Sequence, residues 1–470
     1  MKEMLQFYNT LSKRKEPFEP ITPGQVGLYT CGPTIYNYIH IGNFKCYCWE
    51  DLLKRYLIFK GFKVRQVMNF TDVDDKTIKS SIRENKPLKE YTEKFKSAFI
   101  EDAKLLNVLP AEVYCPATEH IPEMVALVKK LMEKGYAYRG DDGSIYFSIR
   151  KFPDYGKLAG IDTTKLKEGA RVKQDEYEKE GVGDFALWKA WDENDGPVFW
   201  ETELGKGRPG WHIECSAMSM RYLGEHFDMH TGGIDNKFPH HENEIAQSEA
   251  ATGKKFVNFW LHTAHLMVEG QKMSKSLGNF YTLRDLMAKG LKPAAIRYVF
   301  LNSQYRQPLN FTIESVSDAQ KALDSLQNLI ARLRDIKEKK SDEQAKALAS
   351  EAIRGFEEAM DNDLNVPEAT KYVFEFANKV NKLIDANAIG AEGAAEALAF
   401  LKRVNEVLAV LDFSEKEIEL TEEQKLLIKE RELARKNKDW KTSDIIRDKL
   451  AAQGIIVEDK KEGMRWKKAN

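Results

Sequence analysis

Val26-Gly27-Leu28-Tyr29-Thr30-Cys31 is a short apolar run that stops at Gly32-Pro33 and leads into His40-Ile41-Gly42-Asn43. Phe44, Cys48, Leu52, Tyr56 and Phe59 then recur near helical spacing, with Gly61 placed as a stop signal. Val64, Val67, Met68 and Phe70 follow as a second buried strand. Helix-like stretches continue around 74–106 and 118–134, the second ended by Gly135. Strand, loop, helix, strand in this order predicts parallel pairing, because parallel strands need a long crossover between them. The expected fold class is α/β.

Outward from this core the texture changes. Tyr136-Ala137-Tyr138-Arg139 and Ser144-Ile145-Tyr146-Phe147 flank Gly140-Asp141-Asp142-Gly143, a hairpin signal that opens an insertion over about 137–205. Strand-and-loop texture returns at Gly207-Arg208-Pro209-Gly210-Trp211 and runs to about 280. From about 313 the pattern is helical and charge-rich, in two parts, 313–412 and 420–470, joined by a glutamate-rich linker at 414–423. Residues 421–470 carry 14 Lys+Arg against 10 Asp+Glu, which favours a phosphate-contacting surface.

Over all 470 residues, 72 Lys+Arg balance 73 Asp+Glu, and 42% of residues are hydrophobic, which excludes a disordered or collagen-like chain. No apolar run reaches the ~18 residues of a membrane span. The polar start, Met1-Lys2-Glu3-Met4-Leu5-Gln6, does not read as a signal peptide. Five cysteines are too few for a disulfide scaffold, so the reading is a soluble protein of a reducing cytoplasm.

Four places carry chemistry. His40-Ile41-Gly42-Asn43, between a strand and a helix, puts free backbone N–H groups and a histidine where a phosphate binds; taken alone it fits an ordinary turn as well. Lys272-Met273-Ser274-Lys275-Ser276 lies between Gly270 and Gly278 and reads as a mobile loop rather than a packed element. Its two lysines suit a departing pyrophosphate, or else a solvated basic loop. His240 and Glu244, four apart, share one helix face and suit a single ion, with His241 and Glu242 leaving the choice open. Cys46 and Cys48 diverge on a helix and read as core.

Taken together, the His-Ile-Gly-Asn and Lys-Met-Ser-Lys-Ser segments resemble the two nucleotide-binding motifs of class I aminoacyl-tRNA synthetases. Tyr29-Thr30-Cys31-Gly32-Pro33-Thr34, Asn69-Phe70-Thr71-Asp72-Val73-Asp74-Asp75-Lys76, Gly210-Trp211-His212-Ile213-Glu214-Cys215-Ser216 and Phe238-Pro239-His240-His241-Glu242-Asn243-Glu244 resemble the cysteinyl-tRNA synthetase family. The resemblance implies a Rossmann-like catalytic domain in two halves, 1–136 and 206–260, interrupted by a connective insertion at 137–205. A region at 261–312 would carry the KMSKS loop and the stem contact, followed by a helical bundle at 313–412 and an anticodon-binding domain at 413–470.

It further implies one zinc ion per chain, held by Cys31, Cys215, His240 and Glu244. Zinc prefers thiolate ligands and can expand its coordination, which suits the selection of cysteine over serine without an editing domain. ATP, as its Mg²⁺ complex, would meet His40, Gly42, Asn43, Gly232, Gly233, Asp235 and Lys275, with catalytic roles for His40, Asn43, Lys272 and Lys275. Thr71, Trp211 and His230 match positions lining the amino-acid site. Trp211 fits core packing equally well, one of His226 and His230 suits a packed strand, and Asp74 and Asp75 suit a helix cap. Arg435, Trp440, Asp444, Arg447 and Asp459 match the anticodon-reading domain, although any one of them also suits an amphipathic helix. The implied partners are tRNA-Cys, L-cysteine and ATP, and the implied state is a monomer.

The sequence departs from the pattern at Asn43, where many relatives have a second histidine, and at Thr231 and Ile234, where the Gly-rich loop usually has small residues. A related ligase that passes cysteine to an amino sugar would lack 413–470. A non-catalytic relic would not need the intact lysines and ligands.

Overall fold

The computed structural model describes residues 4–161, 171–172, 183–274, 277–338, 343–414, 420–460 and 463–468, with 172, 458–460 and 463–468 described by backbone alone. Five parallel strands form the central sheet: β1 (Gln25–Thr30), β2 (Lys63–Phe70), β3 (Val113–Pro116), β4 (Phe227–Gly233) and β5 (Val257–Thr263), in the order β5-β4-β1-β2-β3. Leu28 and Tyr29 are fully buried, as strands covered on both faces require. The chain steps from β1 towards β2 and β3 on one side, and from β4 towards β5 on the other. The carboxyl ends of β1 and β4 therefore flank the switch point, where ligands of open α/β sheets bind.

Helix α1 (Ile41–Phe59) follows β1 and is buried along nearly its whole surface, with Phe44, Cys48, Leu52 and Tyr56 at 0% exposure. The expected helical stretch at 74–106 divides into α2 (Asp75–Arg83) and α3 (Leu88–Leu105), because Pro87 cannot continue a helix. Asp74 caps α2 in a reciprocal box with Thr77. Helix α4 (Ile121–Glu133) ends at Lys134, before Gly135.

The insertion is a second, mostly antiparallel sheet, and its first hairpin pairs Ala137 with Phe147 as expected. Strand Gly205–Pro209 belongs to this sheet, with Gly207 opposite Ala190, so the insertion sheet runs past the boundary set at 205/206. Glycine permits that pairing, since a Cβ at Gly207 would stand 2.2 Å from the Lys189 carbonyl oxygen. Asp75 of α2 ties the insertion to this helix by ion pairs to Lys189 (3.3 Å) and Arg208, and within the insertion Asp195 pairs with Arg208 (2.9 Å).

Beyond α5 (Trp211–Leu223) and α6 (His240–Thr252) come α7 (Leu283–Ala288) and α8 (Pro293–Leu301), then α9 (Ile313–Arg334), α10 (Glu343–Asp361), α11 (Val366–Asp385) and α12 (Ala391–Leu408). The last carbonyls of α12 are capped by side chains of α8 and α1. Arg297, fully buried, donates to Leu408 O (2.8 Å) and to Asp51, and Arg55 donates to Glu406 O (3.1 Å) and to Asp51.

By compactness the chain divides into Met1–Leu411 and Asp412–Asn470. The second unit packs α13 (Glu422–Lys436) and α14 (Trp440–Ala452) around Leu427, Ile428, Ile446 and Leu450. It ends in an antiparallel hairpin, Ile455–Lys460 with Gly463–Lys468, where the sequence suggested only helix. Charged residues, Glu458, Asp459 and Lys460 on one strand and Arg465, Lys467 and Lys468 on the other, mask their alternation. Among the described residues no helix is long and apolar enough to cross a membrane.

Candidate active site and metal centre

Strand β1 delivers Cys31 to the switch point, and the turn behind it depends on Gly32. The Gly32 N–H donates to Asn69 Oδ1 at 2.7 Å, and a Cβ there would lie 1.7 Å from the Asn69 carbonyl oxygen. Gly32→Ala is expected to lower the unfolding midpoint by at least about 5 °C and to reduce bound metal, read by calorimetry and elemental analysis. An unchanged midpoint would show that the turn yields.

Helix α5 brings Cys215 to this point, and α6 brings His240 and Glu244. Cys31 Sγ lies 4.0 Å from both Cys215 Sγ and Glu244 Oε1, while His240 Nε2 lies 3.4 Å from Cys215 Sγ and 3.2 Å from Glu244 Oε1. Tetrahedral zinc, with bonds of about 2.0–2.3 Å, separates its ligands by roughly 3.4–3.8 Å. All four donors are buried and lie within 4.8 Å of one another, so the set expected from the sequence fits a zinc ion.

Cys31, His230, His241 and Glu244 form a second group inside the same limit. The sequence reading had His230 as a pocket residue and left His241 open as a ligand, and it missed His212 and His262 and the way all four surround the ligands. His212 Nδ1 meets His240 Nδ1 at 3.0 Å, which leaves His240 Nε2 for a metal. His230 Nε2 bonds Glu244 Oε2 at 2.9 Å, and His241 joins Cys31 (3.3 Å) to His262 (2.8 Å). Burial lowers the pKa of all four, His230 and His262 to about 3, and holds the rings neutral. Burial also pushes the Cys31 thiol and the Glu244 carboxyl well up. Burial would raise Cys215 too, but the Cys31 thiol and His240 hold it well below its ordinary value. Of the residues beside His240, Glu242 faces away and accepts the N–H groups of Gly156 (2.8 Å) and Ala159 (2.7 Å).

The amino-acid-site candidates divide. The half-buried Trp211 ring lies 4.3 Å from the His240 ring and forms a wall on that ligand. Thr71 is buried and donates to Glu214 Oε2 at 3.0 Å. His230, also a lining candidate, is fully buried, stacks on Trp260 at 4.5 Å and sits behind Glu244.

The two nucleotide motifs meet. His40 is the N-cap of α1, with Nδ1 accepting the Asn43 N–H at 3.3 Å, so Nε2 carries the proton. The Ile41 N–H donates to Tyr281 O (3.0 Å), His40 bridges Thr282, and a Cβ at Gly42 would lie 3.3 Å from the Met273 methyl. Lys272 is exposed in a two-residue strand, Gln271–Lys272, paired with Met267, so the loop expected between Gly270 and Gly278 begins as ordered structure. Lys275 lies outside the described residues. At the end of β4, a Cβ at Gly232 would stand 2.9 Å from His241, and one at Gly233 would stand 2.3 Å from Asp235 Oδ1. Asp235 itself is exposed, and its charge partly offsets the burial that lowers the His40 pKa.

In the second unit the Arg435 guanidinium lies 5.5 Å over the Trp440 ring, which is 56% exposed, and Asp444 pairs with Arg447 at 2.9 Å. Asp459 is placed by its backbone in the hairpin, with its side chain outside the description.

The switch point, its two converging motifs and the buried Cys31-Cys215-His240-Glu244 donor set all lie in a region that matches a class I aminoacyl-tRNA synthetase catalytic domain. Its fold resembles that of the Mycobacterium tuberculosis methionyl-tRNA synthetase in complex with methionyl-adenylate, with a TM-score of 0.59 at 14% identity over 82% of this chain and 90% of that one. It also resembles the Agrobacterium radiobacter LeuRS of a tRNA complex, with a TM-score of 0.59 at 12% identity over 84% and 85%. Residues 17–321 match the tRNA synthetases class I (C) catalytic domain, 355–412 the DALR domain, and 418–466 the cysteinyl-tRNA ligase anticodon binding domain. Proteins named cysteine--tRNA ligase are similar along the whole chain. That of Brachyspira hyodysenteriae is 50% identical over 100% of both chains, and that of Protochlamydia amoebophila 48% identical over 99% of this chain and 98% of its own. The chain belongs to the cysteine--tRNA ligase family.

Proposed function

We propose that the protein activates L-cysteine with ATP and transfers it to the 3′ end of tRNA-Cys. The observation that carries the reading is the buried Cys31-Cys215-His240-Glu244 cage set beside the His40 turn at one end of the sheet. A zinc ion held by those four residues supplies a Lewis acid that favours a substrate thiolate over a serine hydroxyl. Trp211 and Thr71 bound the amino-acid pocket, with His230 orienting Glu244. The His40 Nε2–H donates to an ATP phosphate, Gly42 lets that phosphate approach α1, and Asn43 adds a polar contact. Gly232, Gly233 and Asp235 form the adenosine side.

The cysteine carboxylate attacks the α-phosphorus, and Lys272 and Lys275 stabilise the pyrophosphate leaving from Mg-ATP. The tRNA ribose hydroxyl then takes the cysteinyl group and releases AMP. Residues 1–136 and 206–260 act as the catalytic halves around the 137–205 insertion, with 261–312 as the motif loop and stem contact and 313–412 as the helical bundle. Residues 413–470 read the anticodon through Arg435, Trp440, Asp444, Arg447 and Asp459. The protein works as a cytoplasmic monomer.

The test is cysteine-dependent ATP–pyrophosphate exchange, with serine in parallel, before and after zinc removal. Exchange with cysteine alone, lost on stripping and restored by zinc, is the expected result. Exchange that ignores the metal would remove zinc from the scheme. No exchange from folded, metal-loaded protein would overturn the activity.

A further inference from the structure

Thr231 stands where the Gly-rich loop of this family usually has a small residue, and its partner in the fold is Glu50 on the third turn of α1. Thr231 is fully buried and its hydroxyl donates to Glu50 Oε1 at 2.8 Å. Its carbonyl accepts the Cys31 N–H at 3.2 Å, and the next two residues are Gly232 and Gly233. Glu50 is also fully buried. Its Oε1 faces the Cys46 thiol at 3.6 Å, and its Oε2 has no partner among the described residues. Cys46, one turn earlier on α1, meets the Thr263 hydroxyl, and Thr263 is the β5 residue paired with Gly233. Helix α1 therefore carries the His40–Asn43 turn at its tip and grips both strands beside the Gly-Gly segment further along its length.

We propose that Glu50 and Thr231 are positioning residues for ATP, their hydrogen bond fixing the Gly232-Gly233 wall against the first turn of α1. The inference rests on reading this turn and this wall as the nucleotide site. Burial pushes the Glu50 carboxyl up to about 8, so it braces the wall as a neutral acid and adds no negative charge near a triphosphate. Thr231 is thus one half of a matched pair: a glycine there would leave the buried Glu50 Oε1 with only the weak Cys46 thiol beside it, which costs more than the bond itself contributes.

The experiment compares Thr231→Val, which removes the hydroxyl at constant shape, with Thr231→Ser, which keeps it, and with Glu50→Gln, which keeps an acceptor without charge. Two readouts are taken on the full chain: ATP affinity by calorimetry without cysteine, and KM for ATP and for cysteine in pyrophosphate exchange. Thr231→Val is expected to weaken ATP binding and raise its KM by about tenfold, the scale of one buried hydrogen bond lost with its partner stranded. KM for cysteine should move less than about twofold, while Thr231→Ser and Glu50→Gln stay near wild type. Should the valine variant not fold, Thr231→Ala carries the same comparison.

Equal rises in both KM values, or a lower unfolding midpoint with unchanged ATP affinity, would make the pair merely structural and overturn the proposal. Wild-type protein that binds ATP but shows no cysteine-dependent exchange would defeat the functional reading. The affinity ratio between valine and serine variants would still decide the pair.

Discussion

Cys215→Ala is expected to lose its zinc and to reduce cysteine-dependent pyrophosphate exchange at least about a thousandfold, since an ion of this kind supplies several kcal/mol to a polar step. The argument starts from burial. Cys31, Cys215, His240 and Glu244 share one buried pocket, with His240 Nε2 3.4 Å from the Cys215 sulfur and 3.2 Å from Glu244. Deleting one thiolate removes a strong ligand, and a water taking the sulfur's place would be a weaker, uncharged one. ATP affinity should change little, because Cys215 is on α5 and the proposed nucleotide contacts are on α1 and β4. Elemental analysis of dialysed protein and exchange kinetics check both halves of this expectation. A variant that keeps a full equivalent of zinc would show that Cys31, His230, His241 and Glu244 hold the ion instead.

The Lys272→Ala/Lys275→Ala double variant is expected to lower the rate of cysteinyl-adenylate formation by roughly two to three orders of magnitude, the scale lost when a single preorganised transition-state donor is deleted. KM for cysteine should stay within about threefold, because charge on the leaving pyrophosphate develops only as the α-phosphorus is attacked. Lys272 is exposed on the strand that brings Met273 against Gly42, so a polyanion at the His40 turn lies within the reach of this segment. Rapid-quench measurement of adenylate formation separates the rate from binding. Equal losses in rate and cysteine affinity would show that the lysines shape the pocket rather than the transition state.

Much of this was legible from residue pattern, for reasons that differ by site. The α/β core was readable because β1, α1 and β2 are consecutive and their burial follows strand and helix periods. The His240–Glu244 pairing was readable because four residues on a helix make one face. Joining Cys31 to Cys215 required the family resemblance, since their meeting depends on how β1 and α5 pack and no local spacing records it. His230 and His241 were singled out by motif, but their arrangement with His212 and His262 around the ligands was hidden for the same reason. Each belongs to a different element or points to a different neighbour, and a buried histidine looks like any other in sequence. The C-terminal hairpin was obscured by its charges, and the split between α2 and α3 turned on one residue, Pro87. Glu50 offered no signal at all until Thr231 was found at its side.

The cap on α1 also governs how the protein meets acid. With Nδ1 of His40 accepting the Asn43 N–H, a proton can enter that ring only by breaking the side-chain cap, and the same N–H then turns wholly to the His40 carbonyl (3.1 Å). Burial already lowers the ring's pKa, so the neutral tautomer persists below the usual histidine range. His40 is thereby a poor proton shuttle and a steady dipole: under the proposed reading it would present the same N–H to a phosphate through a mild acidification that would charge an uncapped imidazole.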